Sequence, residues 1–209
     1  DVMCPWCYVG KRQLDRALTR RRELLPDLPP PVVRWRPFQL NPDLPPGGMP
    51  RSTYLARKFG AADGGGRYER VLAAARAVGL ELQLDAIRMQ PNTLKAHGLI
   101  ELAAESMDQS AAAEACFRAY FQEGRDLSDD AVLREIALGL GMSEALADTV
   151  LGTESVTRIV AAADAELREY GVTGVPLFII RNALGDHVAV SGAQGADALL
   201  EAMQQVQAA

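Results

Sequence analysis

The chain has 209 residues and a mass of 22.5 kDa, with 48% hydrophobic and 23% charged residues. This length and composition predict a soluble globular protein with one large domain or a domain with an insertion, and they exclude fibrous, broadly disordered and multidomain chains. The net charge is -5, which disfavours nucleic acid and anionic membranes as partners, because both require clustered positive charge. No segment approaches the ~18 uncharged apolar residues of a membrane span.

The first predicted elements are a helix and a strand. Over residues 8–25, apolar residues recur at steps of three and four, which predicts a helix that starts at the first two cysteines. Pro26 and the prolines at 29–31 end this helix. Residues 32–38 then alternate apolar and basic residues, which predicts a strand with Trp35 and Phe38 in the core.

The middle and the end of the chain differ in composition. Residues 52–148 are rich in Ala, Leu, Glu and Arg and poor in β-branched runs, so we expect a block of helices. A helix over about 152–170, strands over 175–180 and 188–190, and a helix from about residue 196 follow. The pattern predicts an α/β domain, residues 1–45 and 151–209, interrupted by an all-helical insertion, residues 46–150.

Two cysteines lie at the predicted start of the first helix, in the sequence Cys4-Pro5-Trp6-Cys7. Thiols at i and i+3 of a helix lie ~5 to 6 Å apart, which allows a reversible disulfide. Unpaired N–H groups and the helix dipole stabilise an anion at this position, so the pKa of Cys4 should be low. We expect Cys4 to be the nucleophile and the more buried Cys7 to be the resolving thiol.

A lone CxxC sequence is also half of a zinc site. The remaining candidate ligands are Cys116, His97 and His187, and none of them is paired at ligand spacing, so redox chemistry is favoured and no metal is expected. Cys116 lies on an apolar helical stripe and should be a buried thiol without a redox role. Three cysteines are too few for a disulfide framework, and the odd count favours a reducing compartment, so we expect the protein in the cytoplasm.

Five motifs along the chain resemble FrnE-type proteins of the DsbA family. They are DVMCPWCYVGKR at residues 1–12, WRPF at 35–38, PNTLKAH at 91–97, GVTGVPLF at 171–178 and SGAQ at 191–194. This resemblance implies a thioredoxin-like α/β fold with a helical insertion, and thiol-disulfide oxidoreductase activity. It extends to 2-hydroxychromene-2-carboxylate isomerases and kappa-class glutathione transferases, which typically have serine at the position of Cys4. A glutathione-dependent isomerase or transferase is therefore the alternative function, and a redox-sensing binding module is a third.

The resemblance also implies roles for residues outside the CxxC sequence. Val175 and Pro176 match the cis-proline loop of the family, in which the residue before the proline pairs with an extended substrate. Pro5 and Trp6 should tune the cysteine pair. Trp6 takes the place of a histidine found in DsbA, so we expect a less acidic Cys4 and a less oxidising disulfide. Only three residues precede Cys4 where the family has its first strand, so we expect either that this strand is truncated from the given sequence or that the sheet lacks a member.

Four residues are weaker candidates. Asn92 and His97 border the pocket in the isomerase and transferase relatives, although an N-cap and a packed histidine are the simpler interpretations. Ser191 and Gln194 precede the last helix, whose N-terminus could bind a carboxylate such as that of glutathione, whereas a cap is again the simpler role. The expected partner is a protein or small-molecule thiol or disulfide, with no cofactor except glutathione as a co-substrate. The expected state is a monomer or homodimer.

Overall fold

The computed structural model describes residues 1–62, 66, 68–106, 108–152 and 154–208. Helices predominate, but two strands of two residues each lie within residues 46–150, where the sequence pattern predicts helices alone. The elements follow in chain order as α1 (Pro5–Leu24), β1 (Met49–Pro50), α2 (Arg51–Phe59), α3 (Glu69–Ala77), a 3-10 turn (Leu84–Ala86), β2 (Met89–Gln90), α4 (Leu94–Ser106), α5 (Gln109–Phe121), α6 (Asp130–Gly139), α7 (Glu144–Gly152), α8 (Glu154–Glu169), β3 (Leu177–Arg181), β4 (His187–Ser191) and α9 (Ala196–Ala208).

Helix α1 begins at the cysteine pair, as predicted. Cys4 has extended backbone angles and is the N-cap residue, and Pro5 occupies the first helical position, where no N–H donor is needed. One stripe of α1 packs against α9, where Ala17, Leu199 and Met203 form a small buried cluster. The cysteine end of α1 packs into the main core, so this helix connects the two hydrophobic clusters.

The main core combines the amino-terminal residues with the helical middle of the chain. Tyr8 of α1 is fully buried, and its ring stacks on Phe117 of α5 with ring centroids 4.9 Å apart. Phe121 contacts both rings, with its centroid 6.1 Å from that of Tyr8 and 6.4 Å from that of Phe117. Large aromatic surfaces contribute strongly to burial, so these contacts hold α1 against α5. The domain boundaries at residues 45/46 and 150/151 stay a prediction.

The strand predicted over residues 32–38 is wrong. This segment alternates in exposure over residues 32–36, but it belongs to no strand or sheet. Its N–H groups and those just after it donate to side chains instead: Trp35 to Gln109 Oε1 at 3.0 Å and Gln39 to Asp164 Oδ1 at 2.8 Å. The period of two correctly predicted the alternation in exposure. It could not show that side-chain acceptors would replace a neighbouring strand.

The strands form two antiparallel pairs. β1 pairs with β2, with Met49 opposite Gln90, and β3 pairs with β4 from Leu177–Ser191 to Arg181–His187. Within the described ranges, the β3–β4 hairpin has no third strand beside it. The hairpin packs against α9, which returns to lie along α1. The loop before β3 is thereby held near the start of α1.

Among the described residues, no helix is both long enough and apolar enough to cross a membrane.

Candidate functional site

The two cysteines occupy the first turn of α1 as free thiols. Cys4 and Cys7 are both buried, and the N–H of Cys7 donates to the carbonyl oxygen of Cys4 at 3.0 Å. Trp6 lies between them and is 36% exposed. A proline and a partly exposed tryptophan therefore cover the outer side of the pair.

The pKa values of the two thiols are shifted in opposite directions. The pKa of Cys4 is lowered to about 6, against the effect of burial, and the largest cause is a hydrogen bond that the Cys7 thiol donates to the Cys4 sulfur. The backbone N–H groups of Cys7 and Trp6 contribute to the same lowering, as expected for the start of a helix. Burial raises the pKa of Cys7 well above its ordinary value. At pH 7 one sulfur is therefore a thiolate and the other holds its proton.

The loop before β3 faces the cysteine pair. The Cys4 sulfur lies 4.0 Å from the carbonyl oxygen of Val175, and the peptide bond between Val175 and Pro176 is cis. The carbonyl oxygen of Pro176 accepts a hydrogen bond of 2.8 Å from Gly192. Pro176 also lies against Gly10 of α1, where a β-carbon would be 3.0 Å from its ring. The loop is thus fixed from two sides.

A cavity of about 280 Å³ lies beside Cys4, between the start of α1 and the helices that follow. Aromatic rings and two cationic side chains dominate its walls. The lining residues are Met3, Cys4, Pro5, Trp6, Leu40, Arg51, Tyr54, Lys58, Phe59, Tyr68, Val71, Gln90 and Phe121. No carboxylate is among these described residues, so the cavity is positively charged in a chain whose net charge is -5.

Sequence analysis missed this cavity. Arg51, Tyr54 and Lys58 all belong to α2, at spacings of three and four residues that place them on one face of the helix. This periodicity was a signal that two basic residues and an aromatic residue share a face. It did not reveal that the face opens next to Cys4, because that depends on how α2 packs against the start of α1.

The structure places Asn92 and His97 outside that cavity. Asn92 Oδ1 accepts from the N–H of Leu94 at the start of α4, and its Nδ2 donates to the carbonyl oxygen of Leu44 at 2.7 Å. His97 is buried, and burial lowers its pKa to about 3, so the imidazole is neutral at pH 7. Its Nε2 lies 3.3 Å from Oδ1 of Asp1. Catalytic roles for Asn92 and His97 stay predictions.

Asp1 is a residue whose structural role the sequence pattern did not indicate. Its side chain is fully buried, and Oδ2 accepts a hydrogen bond of 2.7 Å from the N–H of Leu40. This carboxylate connects the residues before the cysteines to the extended segment after α1. Together with His97 and Trp35 it lines a second cavity of only about 20 Å³, which is about the size of one water molecule.

Ser191 and Gln194 lie near the loop of Val175 and Pro176. Ser191 ends β4, and its carbonyl oxygen accepts a hydrogen bond of 3.0 Å from Gln194 Nε2. Both residues are exposed, and Gly192 between them bonds to Pro176. They brace the turn beside the loop, and a role in carboxylate binding stays a prediction.

Cys116 lies on α5 and is fully buried. Burial raises its pKa to about 12, which leaves an unreactive thiol at neutral pH. Across the described ranges, no group of three or more His, Cys, Asp or Glu side chains could hold a metal ion. Cys4 and Cys7 are therefore the reactive groups that the described site offers.

Comparisons with known proteins connect this geometry to one family. A family model described as a DSBA-like thioredoxin domain matches residues 1–204. The Bacillus subtilis protein YwbO is 26% identical over 212 residues, which cover 99% of this chain and 94% of that protein. The structure of a probable DsbA oxidoreductase from Streptomyces coelicolor is 32% identical with a TM-score of 0.81, covering 100% of this chain and 87% of that one.

A more distant structure shares the fold. A 2-hydroxychromene-2-carboxylate isomerase superposes with a TM-score of 0.69 at 16% identity, covering 99% of this chain and 93% of the isomerase. This likeness concerns the fold alone.

Proposed function

Because this chain belongs to the family of DSBA-like thioredoxin domains, we propose that it is a thiol-disulfide oxidoreductase that works through Cys4 and Cys7. The family match confirms the predicted resemblance and the predicted fold class, a thioredoxin-like α/β fold with additional helices. The observation that carries the proposal is the charge and position of the Cys4 sulfur. It is a thiolate at neutral pH, it accepts a hydrogen bond from Cys7, and it faces the Val175 carbonyl group at 4.0 Å.

The proposed reaction follows from the two acidities. The Cys4 thiolate attacks one sulfur of a substrate disulfide, forms a mixed disulfide and releases the other substrate sulfur as a thiolate. Cys7 then loses its proton and attacks the Cys4 sulfur, which releases the second substrate thiolate and leaves a Cys4–Cys7 disulfide. The substrate is reduced by two electrons and the cysteine pair is oxidised by two. The reverse sequence oxidises a substrate dithiol.

Val175 supports docking of an extended substrate. Its carbonyl group faces Cys4, and the residues just before it, Thr173 and Gly174, are exposed. A substrate chain laid along this loop would present its sulfur to Cys4 while its backbone pairs with that of Val175. Pro5 and Trp6 would tune access, because they border the pair on its exposed side. The chemistry uses only sulfur atoms and needs neither a metal nor a nucleotide.

The odd number of cysteines favours a reducing compartment, and we place the activity in the cytoplasm.

A Cys4→Ser variant tests the function. Insulin reduction with dithiothreitol, and oxidation of a dithiol peptide by the disulfide form, should both fall to the uncatalysed rate. A Cys116→Ala variant is the matched control, because Cys116 is buried and away from the pair, and it should keep the wild-type rates. Unchanged activity in Cys4→Ser would refute the assignment.

The second candidate is a glutathione-dependent isomerase or transferase. The aromatic cavity beside Cys4 favours it, because such a cavity suits a small planar substrate. Mixing the Cys4–Cys7 disulfide form of the protein with reduced glutathione and measuring its mass under native conditions separates the two functions, because attack of the glutathione thiolate on the Cys4 sulfur breaks the Cys4–Cys7 bond and needs no other oxidant. A mixed disulfide on Cys4 supports the oxidoreductase, whereas bound glutathione with a free thiol, together with turnover of an aromatic substrate by Cys4→Ser, supports the alternative.

A further inference from the structure

We propose that the cavity beside Cys4 binds a small aromatic disulfide that carries a carboxylate, and that molecules of this class are substrates of Cys4. The inference rests on the proposed redox function and names a substrate class for it. Three observations carry it: a buried arginine that pairs with no carboxylate among the described residues, a lysine on the same face, and aromatic walls that extend to the reactive sulfur.

The environment of Arg51 gives the strongest support for the proposal. Its side chain is only 8% exposed, and Nη1 donates to two neutral oxygens, Gln90 Oε1 at 3.2 Å and Tyr120 Oη at 3.3 Å. Its guanidinium carbon lies 5.3 Å from the centre of the Tyr68 ring. No carboxylate in the described part of the chain pairs with it. A buried cation is normally paired, so an anion from outside the chain would complete this site.

Lys58 adds a second positive charge, two turns along α2 from Arg51. Its Nζ donates to the Tyr54 hydroxyl group at 2.7 Å and lies 5.1 Å from the centre of the Tyr54 ring. The cations of α1 are arranged differently: Lys11 and Arg12 both form ion pairs with Glu114. Glu114 thus neutralises Lys11 and Arg12, whereas Arg51 and Lys58 have no carboxylate partner among the described residues that line the cavity.

The rest of the cavity fits a planar apolar group. Trp6, Tyr68 and Phe121 contribute ring surface, and Met3 adds a polarisable side chain. The volume of about 280 Å³ is near the lower end of that of small-molecule pockets. An aromatic ring packed here, with its carboxylate toward Arg51 and Lys58, would place a sulfur on the ring next to Cys4. An extended polypeptide would use the Val175 side of the cysteine instead.

The disulfide substrate and the cysteine pair together account for all the bonds and electrons of the reaction. The Cys4 thiolate attacks the sulfur of the bound aromatic half, the substrate S–S bond breaks, and the other half leaves as an arylthiolate. Cys7 loses its proton to solvent and attacks Cys4, which releases the second arylthiolate. The diaryl disulfide gains two electrons, and the cysteine pair loses two as it forms its disulfide.

Two aromatic disulfides that differ in charge test the proposal. Dithiobis(nitrobenzoate) carries a carboxylate on each ring, whereas dithiodipyridine is neutral at pH 7. Both release chromophoric thiols, so stopped-flow absorbance gives a second-order rate constant for each with the fully reduced protein. The ratio of the two constants measures recognition of the carboxylate and cancels changes in Cys4 reactivity.

We expect Arg51→Met and Lys58→Met each to lower this ratio by about tenfold, which corresponds to about 1.4 kcal/mol. Arg51→Lys keeps the charge and should keep most of the ratio. Arg57→Met is the matched control, since Arg57 is an exposed residue of α2 that does not line the cavity. Added NaCl should slow the carboxylate reagent more than the neutral one in the wild type.

An unchanged ratio in Lys58→Met and in folded Arg51→Met would overturn the proposal, as would an equal fall in Arg57→Met. If Arg51→Met does not fold, Lys58→Met alone tests the proposal, because the Lys58 side chain is exposed and its replacement should not impair folding. Failure of the proposed redox function has a separate signature. In that case Cys4 reacts with neither reagent faster than a free thiol does.

Discussion

Gly10 of helix α1 lies directly against the ring of Pro176, so that a β-carbon at Gly10 would be 3.0 Å from Pro176 Cγ. The same β-carbon would lie 3.2 Å from Phe178 Cζ. Both distances are shorter than ordinary van der Waals contact. The absence of a side chain at residue 10 therefore allows the loop of Val175 to approach the sulfur of Cys4, two turns earlier on the same helix.

The first prediction concerns Gly10→Ala. The added methyl group must displace Pro176 and Phe178, which should lower the free energy of unfolding by about 1 to 3 kcal/mol. Because Pro176 follows Val175, the displacement also moves the Val175 carbonyl group away from Cys4, and the rate of insulin reduction should fall several-fold. Urea denaturation and the insulin assay measure the two effects.

Gly139→Ala is the control for that substitution. Gly139 ends α6, and a β-carbon there would meet no atom within 4 Å. Alanine should therefore be neutral or stabilise the protein by about 0.5 to 1 kcal/mol, with unchanged activity. Equal effects of the two substitutions would contradict the role assigned to Gly10.

The second prediction concerns the acidity of Cys4. The rate of alkylation by iodoacetamide follows the thiolate, so it should rise with pH with a midpoint near pH 6. Cys7→Ala removes the hydrogen-bond donor and should raise this midpoint, whereas Cys7→Ser supplies a hydroxyl donor and should keep it close to that of the wild type. Equal midpoints in the alanine and serine variants would mean that Cys7 does not stabilise the thiolate.

The position of the cysteine pair at the start of α1 could be predicted from the sequence because the pattern that fixes it is local. Cys4 and Cys7 are one helical turn apart, and both the start of α1 and the burial of Cys7 follow from nearby residues. The turn, the strand and the helix over residues 182–208 were predictable for the same reason. A hairpin and a helix each have a short-range pattern of hydrophobic residues.

The errors concern contacts between distant residues. The backbone N–H groups of Trp35 and Gln39 donate to Gln109 and Asp164, and neither acceptor can be recognised from the segment itself. The cavity was missed for the same reason, because Arg51 and Phe121 meet beside Cys4 only after α2 and α5 have packed. Local pattern predicts which face of a helix is buried, but it does not predict what that face meets.

The third prediction concerns Glu114, which joins α5 to α1. It accepts a hydrogen bond of 2.8 Å from the Tyr8 hydroxyl group and pairs with Arg12 and with the buried Lys11. Although burial opposes it, these partners lower the pKa of Glu114 below its ordinary value of 4.5. Glu114→Gln leaves Lys11 without this charge and should lower the free energy of unfolding by about 2 kcal/mol at pH 7.

The loss of stability in Glu114→Gln should become smaller as the pH falls. A carboxyl group with a lowered pKa in the folded state contributes its full stability above the unfolded pKa and loses it as pH falls through the folded pKa. The difference between the wild type and Glu114→Gln should therefore be constant near pH 7 and shrink below pH 4.5. Glu166→Gln is the control, because Glu166 pairs with Arg36 at an exposed site and should change stability by less than about 0.5 kcal/mol.

The fourth prediction concerns the packing of α4 on α8, which joins the predicted helical insertion to the predicted α/β domain. A β-carbon at Gly98 would lie 2.6 Å from Cγ1 of the buried Val156, so Gly98→Ala must force the helices apart. We expect a loss of about 1 to 3 kcal/mol in the free energy of unfolding.

The Val156→Ala substitution should lower the free energy of unfolding by about 2 kcal/mol through the lost apolar contact. In the double variant the smaller alanine at residue 156 accommodates the new methyl group, so the combined loss should be at least about 1 kcal/mol smaller than the sum of the single losses. Urea denaturation of the four proteins measures this coupling, and additive losses would show that Gly98 and Val156 do not share one tightly packed contact.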